Sequence, residues 1–380
     1  TRLRTVTGVQ TCALPILLAG RDSLIVMPTG GGKSICFQLP ALLQQGDTLV
    51  ISPLVALMEN QVAELHQKKL AAGVLHSQMP PSDRWRTLQQ LERQQLRLLY
   101  LSPETLFTPK VWDLICRPDL SINGLILDEA HCLVQWGDTF RPAYRRLGMV
   151  RPALLRVNPQ RRIPIAAFTA TANPQAQATL RSVLQLKNPQ EFLLNPYREN
   201  LRLEVQTAWT PQGRQRRLQH WLTTHPQTCG LIYVRTRQDS ETLAQQLQRL
   251  DYATQPYHAG LSAKERRQIE RDWQGDRLQF VVCTNAFGMG INKPNVRWVV
   301  HFQAPLLLSE YVQEISRAGR DGLPSTALTL MSEPTGWLDP SDRRRWDYFL
   351  SQWEKQYQEA QRMMKRLPPE GDVKIGRAHV

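Results

Sequence analysis

The sequence predicts an α/β protein made of two parallel-sheet domains in tandem, with a C-terminal helical tail. Short apolar runs recur along the chain, and each is followed by a turn and then by helical spacing, the alternation that builds parallel sheets. The alternation starts afresh after Asn188–Glu204, a segment that carries Pro189 and Pro196 and reads as a crossing between units. Length permits both units, since 380 residues suffice for two cores of ordinary size. The expected boundaries are 17–195 for the first unit, 196–331 for the second and 332–374 for the tail.

Composition narrows the class. A hydrophobic content of 42% argues for a globular chain over a disordered one. A run of about 18 apolar residues is lacking, so no membrane span is expected. The formal charge of +14 and pI near 9.8 suit a polyanionic partner, nucleic acid first. Cys12, Cys36, Cys116, Cys132, Cys229 and Cys283 lie far apart without a C-x-x-C pair. That spacing argues against a zinc site or disulfide scaffold and for a reducing cytoplasm.

The two ends stand apart. In residues 1–16, Arg2 and Arg4 are followed by polar residues without an apolar h-region, so no secretory signal is expected. Val6–Ile16 and Ile375–Val380 look like translated sequencing-adapter DNA. Both 1–16 and 375–380 are therefore expected to be non-native, with the natural chain covering about 17–374.

The first strand is Leu24-Ile25-Val26, and it runs into Met27-Pro28-Thr29-Gly30-Gly31-Gly32-Lys33-Ser34. A strand, a glycine-rich turn and a helix start place bare backbone N–H groups around a phosphate. Lys33 reaches the outer phosphates and the Ser34 hydroxyl is placed for Mg²⁺. Thr29, Gly30, Gly31, Gly32, Lys33 and Ser34 are thus expected to hold a nucleoside triphosphate. Met27 stands where the full phosphate-loop pattern has its first glycine, and three glycines alone also suit a flexible turn.

From Ser34 to about Gln45, Ile35, Leu39, Leu42 and Leu43 have helical spacing, interrupted by Pro40. Thr48–Ile51 is a strand, and Ser52-Pro53 then offers a cap and a first-turn proline. Leu98–Leu101 followed by Ser102-Pro-Glu-Thr105 repeats the arrangement. These strand ends share one sheet edge, where ligands bind in open α/β folds. Gly124–Leu127 ends in Asp128-Glu129-Ala130-His131. Two adjacent acids after a buried run are costly unless they meet a cation, so Asp128 is expected to hold Mg²⁺ and Glu129 to polarise the attacking water. An ordinary loop acid pair is the plainer alternative, and the Lys33-Ser34 turn argues against it.

In order, Met27–Ser34, Ser52–Gln61, Ser102–Thr105, Asp128–His131 and Phe168–Ala172 resemble the first-lobe motifs of superfamily-2 helicases. The stretch from Gln135 to Tyr144 narrows the resemblance to the RecQ family, over roughly Leu17–Met331. Membership implies two RecA-like lobes and an ATP- and Mg²⁺-dependent DNA helicase core. It further implies 3′–5′ travel on single-stranded or forked DNA in repair or recombination. A cytoplasmic, monomeric protein is expected, nucleoid-associated if bacterial. The resemblance assigns Trp136, Phe140 and Arg141 to a loop that senses single-stranded DNA and relays its presence to the ATP site. Aromatic faces stack on bases without reading sequence, and arginine holds phosphate. Asp138-Thr139 stands where the family has His-Asp. Core packing of Trp136 and Phe140 is the alternative.

In the second half, Gly230–Val234 reads as a strand and Thr236 opens a helix with Leu243, Leu247 and Leu250 on its apolar face. Tyr257–Leu261, Phe280–Thr284 and Val296–His301 continue the pattern. The phosphate loop is not repeated, so this half is expected to complete the first site. By resemblance, Thr284–Pro294 touches nucleotide and DNA, with Gly288 and Gly290 allowing close backbone approach. Gln313–Gly322 resembles the arginine motif, with Ser316 replacing the usual glycine. Arginines three apart present both guanidinium groups to one side, so Arg320 is expected to be the finger, Arg317 its partner and Gln313 part of the same motif. A solvated basic turn is the alternative.

In the tail, Pro340-Ser-Asp342 starts a helix whose Trp346, Phe349, Leu350, Trp353, Tyr357, Ala360 and Met364 form a packing stripe. Cysteine is absent after Cys283, so the four-cysteine zinc module of many family members is not expected in this sequence. The competing functions are an RNA helicase of the same superfamily and a DNA-binding fragment without productive turnover.

Overall fold

The computed structural model describes residues 14–27, 32–136, 143–170, 174–194, 198–287, 293–333, 335–348, 350–351, 354 and 358. The apolar runs become strands of two sheets in which every pairing is parallel. The first contains β1 (Ser23–Val26), β2 (Asp47–Ile51), β3 (Ala72–Leu75), β4 (Leu98–Leu101), β5 (Ile122–Leu127), β6 (Ile165–Thr169) and β7 (Gln190–Leu193), ordered β3-β4-β2-β5-β6-β1-β7. The second contains β8 (Leu201–Ala208), β9 (Gly230–Tyr233), β10 (Thr254–Tyr257), β11 (Phe280–Cys283), β12 (Trp298–His301) and β13 (Ser325–Ser332), ordered β10-β11-β9-β12-β13-β8.

Helices on both faces explain why the strands are continuous apolar runs. Neighbours along a strand point to opposite faces, so Leu24, Leu49 and Leu125 enter one core of the first sheet and Ile25, Val50 and Ile126 the other. Leu231, Val281 and Val299 are separated in the same way from Ile232, Val282 and Val300. Each helix returns the chain to one side, so the turns after β1 and β5 leave the carboxyl edge of the first sheet, whereas residues 316–324 precede β13 beside Pro294 and Val296 at the amino edge of the second.

The crossing segment contributes a strand to each sheet. β7 pairs with β1 in the register Ser23↔Gln190, and β8 pairs with β13 in the register Leu201↔Ser325. Both are edge strands with exposed positions, so neither reads as a buried apolar run. The helix Lys33–Leu43 continues through Pro40, which forfeits one backbone bond, and Gln44 N–H donates to the Pro40 carbonyl at 3.1 Å. Ser52 does not cap the next helix, which starts at Val55 after Leu54. Ser102 and Thr236 do cap theirs, accepting from Thr105 N–H at 3.3 Å and Asp239 N–H at 3.0 Å.

Buried ion pairs join distant segments. Arg151 Nη1 lies 2.7 Å from Asp22, and Asp22 also accepts from the Ile165 and Lys187 N–H groups. Arg214 meets Asp339 at 2.7 Å and thereby fixes the start of the tail to the second sheet. A tail helix does begin at residue 341, but Leu350 is 53% exposed and does not pack as a stripe residue. Phe349, Trp353, Tyr357, Ala360 and Met364 lie outside the described residues. Among the described residues, no helix is long and apolar enough to cross a membrane.

Asp47, at the start of β2, is fully buried, and neither carboxylate oxygen has a hydrogen-bond partner. Burial pushes its pKa up to about 7, opposed in part by Arg97. A carboxyl that is harder to ionise when folded stabilises fully below its unfolded pKa near 3.8, and that contribution is lost as pH rises toward 7. Asp47→Asn removes the loss. Thermal melts should show the variant gaining on the wild type from pH 4 to pH 8, by about 1–4 kcal/mol at the upper end. A gain independent of pH would rule out the buried carboxyl as its source.

Candidate active site

The site grows from the carboxyl ends of β1, β5 and β6. Met27 N–H donates to the Thr169 carbonyl at 3.0 Å, which fixes the chain as it leaves β1. Thr29, Gly30 and Gly31 lie outside the described residues. Gly32 has φ +83°, in the left-handed region that glycine adopts without strain, and opens the helix that begins at Lys33. Lys33 Nζ folds back to within 3.5 Å of the Met27 carbonyl, and half-buried Ser34 occupies the same first turn. A positive helix end, an ammonium and a hydroxyl therefore share one turn, the donor set for a phosphate and its cation.

Asp128 leaves β5 opposite this turn, its N–H donating to the Ile51 carbonyl at 2.9 Å. It is buried, one carboxylate oxygen accepts the Glu129 N–H at 3.0 Å, and Gln61 Nε2 lies 3.5 Å from the other. Burial and the neighbouring Glu129 push its pKa up to about 6 against the pull of Lys33. A carboxylate so placed gains from a cation, which fits Mg²⁺ held by Asp128 and Ser34.

Glu129 has φ +51°, strained for a non-glycine residue. The turn aims its carboxylate at His131, whose Nδ1 lies 3.4 Å away. His131 Nδ1 also lies 3.2 Å from Thr169 Oγ1, and the Ala130 N–H donates to Phe168 O at 2.8 Å, so the acidic turn is fastened to the end of β6. Burial raises the Glu129 pKa, but Lys33, His131, Arg317 and Arg320 more than offset it and leave it below the usual range. Those two arginines belong to the second sheet. Their charges reach Glu129 from the other lobe, and Glu129 in turn acts on Arg320.

Residues 7–179 match the DEAD/DEAH box helicase family, and residues 213–322 match the helicase conserved C-terminal domain. The chain is 53% identical over 363 residues to the ATP-dependent DNA helicase RecQ of Synechocystis sp., covering 96% of this chain and 76% of that protein. The chain belongs to the RecQ family. It is also 39% identical over 323 residues to the ATP-dependent DNA helicase RecQ of Pasteurella multocida, covering 84% of this chain and 49% of that relative. This RecQ-family chain therefore spans about three-quarters of one relative and half of the other. Its fold resembles Mycobacterium smegmatis helicase Lhr bound to ssDNA and AMP-PNP, with a TM-score of 0.69 at 20% identity over 87% of this chain and 46% of that one. The two sheets are thus the tandem RecA-like lobes of a helicase.

In the RecQ-family second lobe, a buried network aims the arginines. Arg235, just past β9, makes two bonds to Glu314 at 3.1 and 2.9 Å, and His301 Nε2 meets the same carboxylate at 2.9 Å. Glu314 lies on the helix Leu308–Ile315 that leads to Arg317. Tyr233 accepts from Arg317 and donates to the Phe287 carbonyl at 3.3 Å, joining the arginine turn to the segment that enters Gly288. Arg198 donates to the carbonyls of Ser316, Ala318 and Gly319. Burial and the facing Arg317 push the Arg320 pKa down to about 10. Gln313 is half-buried on the same helix.

Tyr233 and Arg198 are supporting residues that no motif marks, because each acts through a partner distant in the chain; Gln61 and Glu314 lie inside the Ser52–Gln61 and Gln313–Gly322 motifs, but nothing in the spacing marks their partners. Gly288, Gly290, Phe140 and Arg141 lie outside the described residues. Trp136 ends the helix His131–Trp136, but its side chain lies outside what is described.

Gly319, between the two arginines, has φ +58°, and a Cβ there would come within 2.6 Å of Asn200 Nδ2 and 2.9 Å of the Leu323 carbonyl. Gly322 has φ +85° with nothing within 4 Å of an added Cβ. Gly319→Ala should therefore destabilise the protein by about 2–4 kcal/mol in denaturant titrations, and Gly322→Ala by only about 1 kcal/mol. Equal losses would refute the close packing of this turn.

Proposed function

We propose that the chain is the motor core of an ATP- and Mg²⁺-dependent DNA helicase that moves 3′ to 5′ along a single strand. The observation that carries this reading is the meeting of Lys33, the Asp128-Glu129 pair and the Arg317/Arg320 turn from opposite lobes. Backbone N–H groups of Thr29 to Gly32 would cradle the phosphates, and Lys33 would draw charge from the outer ones. Mg²⁺, held by Ser34 and Asp128, would neutralise phosphate charge when bound.

Glu129 is ionised at neutral pH and oriented by His131, so it can accept a proton from the water that attacks the γ-phosphorus. ADP leaves, and the phosphate retains the water oxygen. Arg320 would meet the charge developing on the transferred group, with Arg317 and Gln313 completing the far side of the cleft. Loss of the γ-phosphate removes what the lysine and arginines share, so the lobes relax apart once per cycle. Gly288 and Gly290, on the segment joined to Arg317 through Tyr233, would carry that change toward DNA. Trp136, Phe140 and Arg141 would report a bound strand to Glu129 along the helix His131–Trp136.

DNA is favoured over RNA because both RecQ relatives described above are named as DNA helicases. Single-stranded or forked DNA, work in repair or recombination, a monomeric state and a cytoplasmic location belong to this reading. The test is phosphate release from Mg·ATP with and without single-stranded DNA or RNA. DNA should raise turnover at least tenfold, Trp136→Ala should lose most of that gain, and Lys33→Ala should abolish release. Stimulation by RNA alone would favour the RNA helicase. Release that survives Lys33→Ala would place hydrolysis elsewhere.

A further inference from the structure

Trp337 is 85% exposed, more than any other large apolar side chain among the described residues. Isolated exposed apolar residues are common, but a tryptophan held out by a rigid turn is not. The turn follows β13, where the buried Glu333 carboxylate accepts the Thr335 N–H at 2.7 Å, the Thr335 hydroxyl, and the Leu338 N–H at 3.0 Å. Trp337 N–H lies 3.4 Å from Thr335 Oγ1. Arg214 anchors the far end through Asp339, and Ser332 N–H donates to Asp342 at 2.6 Å. The ordering cost of presenting the indole is therefore met by the fold before any ligand arrives.

Arginines lie close by in the chain, and one packs on the turn itself. Arg343 Nη1 donates to the Thr335 carbonyl at 2.8 Å, and its stem lies so close to Gly336 that a Cβ there would meet Arg343 Cδ at 2.8 Å. Arg343 and Arg344 are exposed, and Arg345 ties their helix to the Ala304 carbonyl at 2.9 Å. Parallel pairing places the Trp337 turn on the same carboxyl edge as Arg235 after β9, His258 after β10, Thr284 after β11 and Gln303 after β12. An exposed aromatic side chain on a turn that Arg343 packs against, with exposed Arg344 next in the chain, matches a nucleobase and its neighbouring phosphates.

We propose that Trp337, with Arg343 and Arg344, is a base-stacking contact for a nucleic-acid strand at the outer rim of the second lobe. The contact extends the strand's path beyond the segment after β11, and holds a base that has left, or is about to enter, the cleft. This inference rests on the DNA reading above, and charge favours it over a protein partner. The first tail helix carries exposed Arg343 and Arg344, the former packed on the Trp337 turn, in a chain of net charge +14.

The experiment is fluorescence anisotropy with the full chain, labelled oligo-dT and a labelled fork at several salt concentrations, alongside photo-crosslinking to 5-iododeoxyuridine DNA. Trp337→Ala should weaken binding about 5- to 100-fold, Trp337→Phe should recover most of it, and the crosslink should map to Trp337 in the wild type. The salt slope should hold in Trp337→Ala and fall by about 1 in Arg343→Gln/Arg344→Gln. Melting temperatures of both Trp337 variants should stay within about 2 °C of the wild type. Wild-type affinity in Trp337→Ala without a crosslink overturns the proposal, as does a change in melting or self-association with DNA affinity intact, which would make the face a protein contact. Failure of the wild type to bind any strand would instead overturn the helicase reading itself.

Discussion

Two carboxylates side by side in a largely water-excluded turn repel each other, and the site is built around that repulsion. Asp128 follows a buried strand and Glu129 follows it with backbone in the left-handed region, so the pair cannot relax by turning outward. Lys33 lies on the same sheet edge, while Arg317 and Arg320 come from the other lobe. Those cations and His131 hold the Glu129 pKa below the usual range although burial raises it, and Asp128 stays less well compensated. The imbalance gives each acid its own role. In the reading proposed above, Glu129 would take the proton and Asp128 would gain most from a divalent cation.

The rest of the fold serves this arrangement. The parallel first sheet delivers the turns after β1 and β5 to one carboxyl edge, which is why Lys33 and the acid pair converge. The second lobe spends its buried polar groups on orientation. Glu314 receives Arg235 and His301, Tyr233 joins Arg317 to the Phe287 carbonyl, and Arg198 gathers three carbonyls of the arginine turn. These contacts fix where the arginines point before a nucleotide arrives, so that closure of the lobes needs little reorganisation.

Strands buried on both faces were legible in the sequence because a parallel sheet demands uninterrupted apolar runs, as at Leu98–Leu101 and Phe280–Cys283. The edge strands β7 and β8 were hidden in what reads as a linker, since an edge tolerates the polar residues Gln190, Glu191, Arg202 and Glu204. The Lys33-Ser34 turn and the acid pair stand out in the sequence because the chemistry expected of them needs adjacent residues. The bonds of Gln61 to Asp128 and of Tyr233 to Arg317 do not, because partners more than 60 positions apart leave no local spacing. The tail shows the limit of periodicity. Its helix starts at the expected place, yet Leu350 faces solvent, because helical spacing tells which residues share a face and not whether anything covers it.

The central claim is that the second lobe supplies the charge that completes the first lobe's site. The most direct measurement is single-turnover ATP hydrolysis by Arg320→Ala, with nucleotide affinity measured separately by equilibrium binding. The account predicts affinity within a few-fold of the wild type and a hydrolysis rate lower by about 10³–10⁵, as for removal of an arginine that acts only in the transition state. An unchanged hydrolysis rate would contradict it, for the arginines would then be structural and catalysis would belong to the first lobe alone.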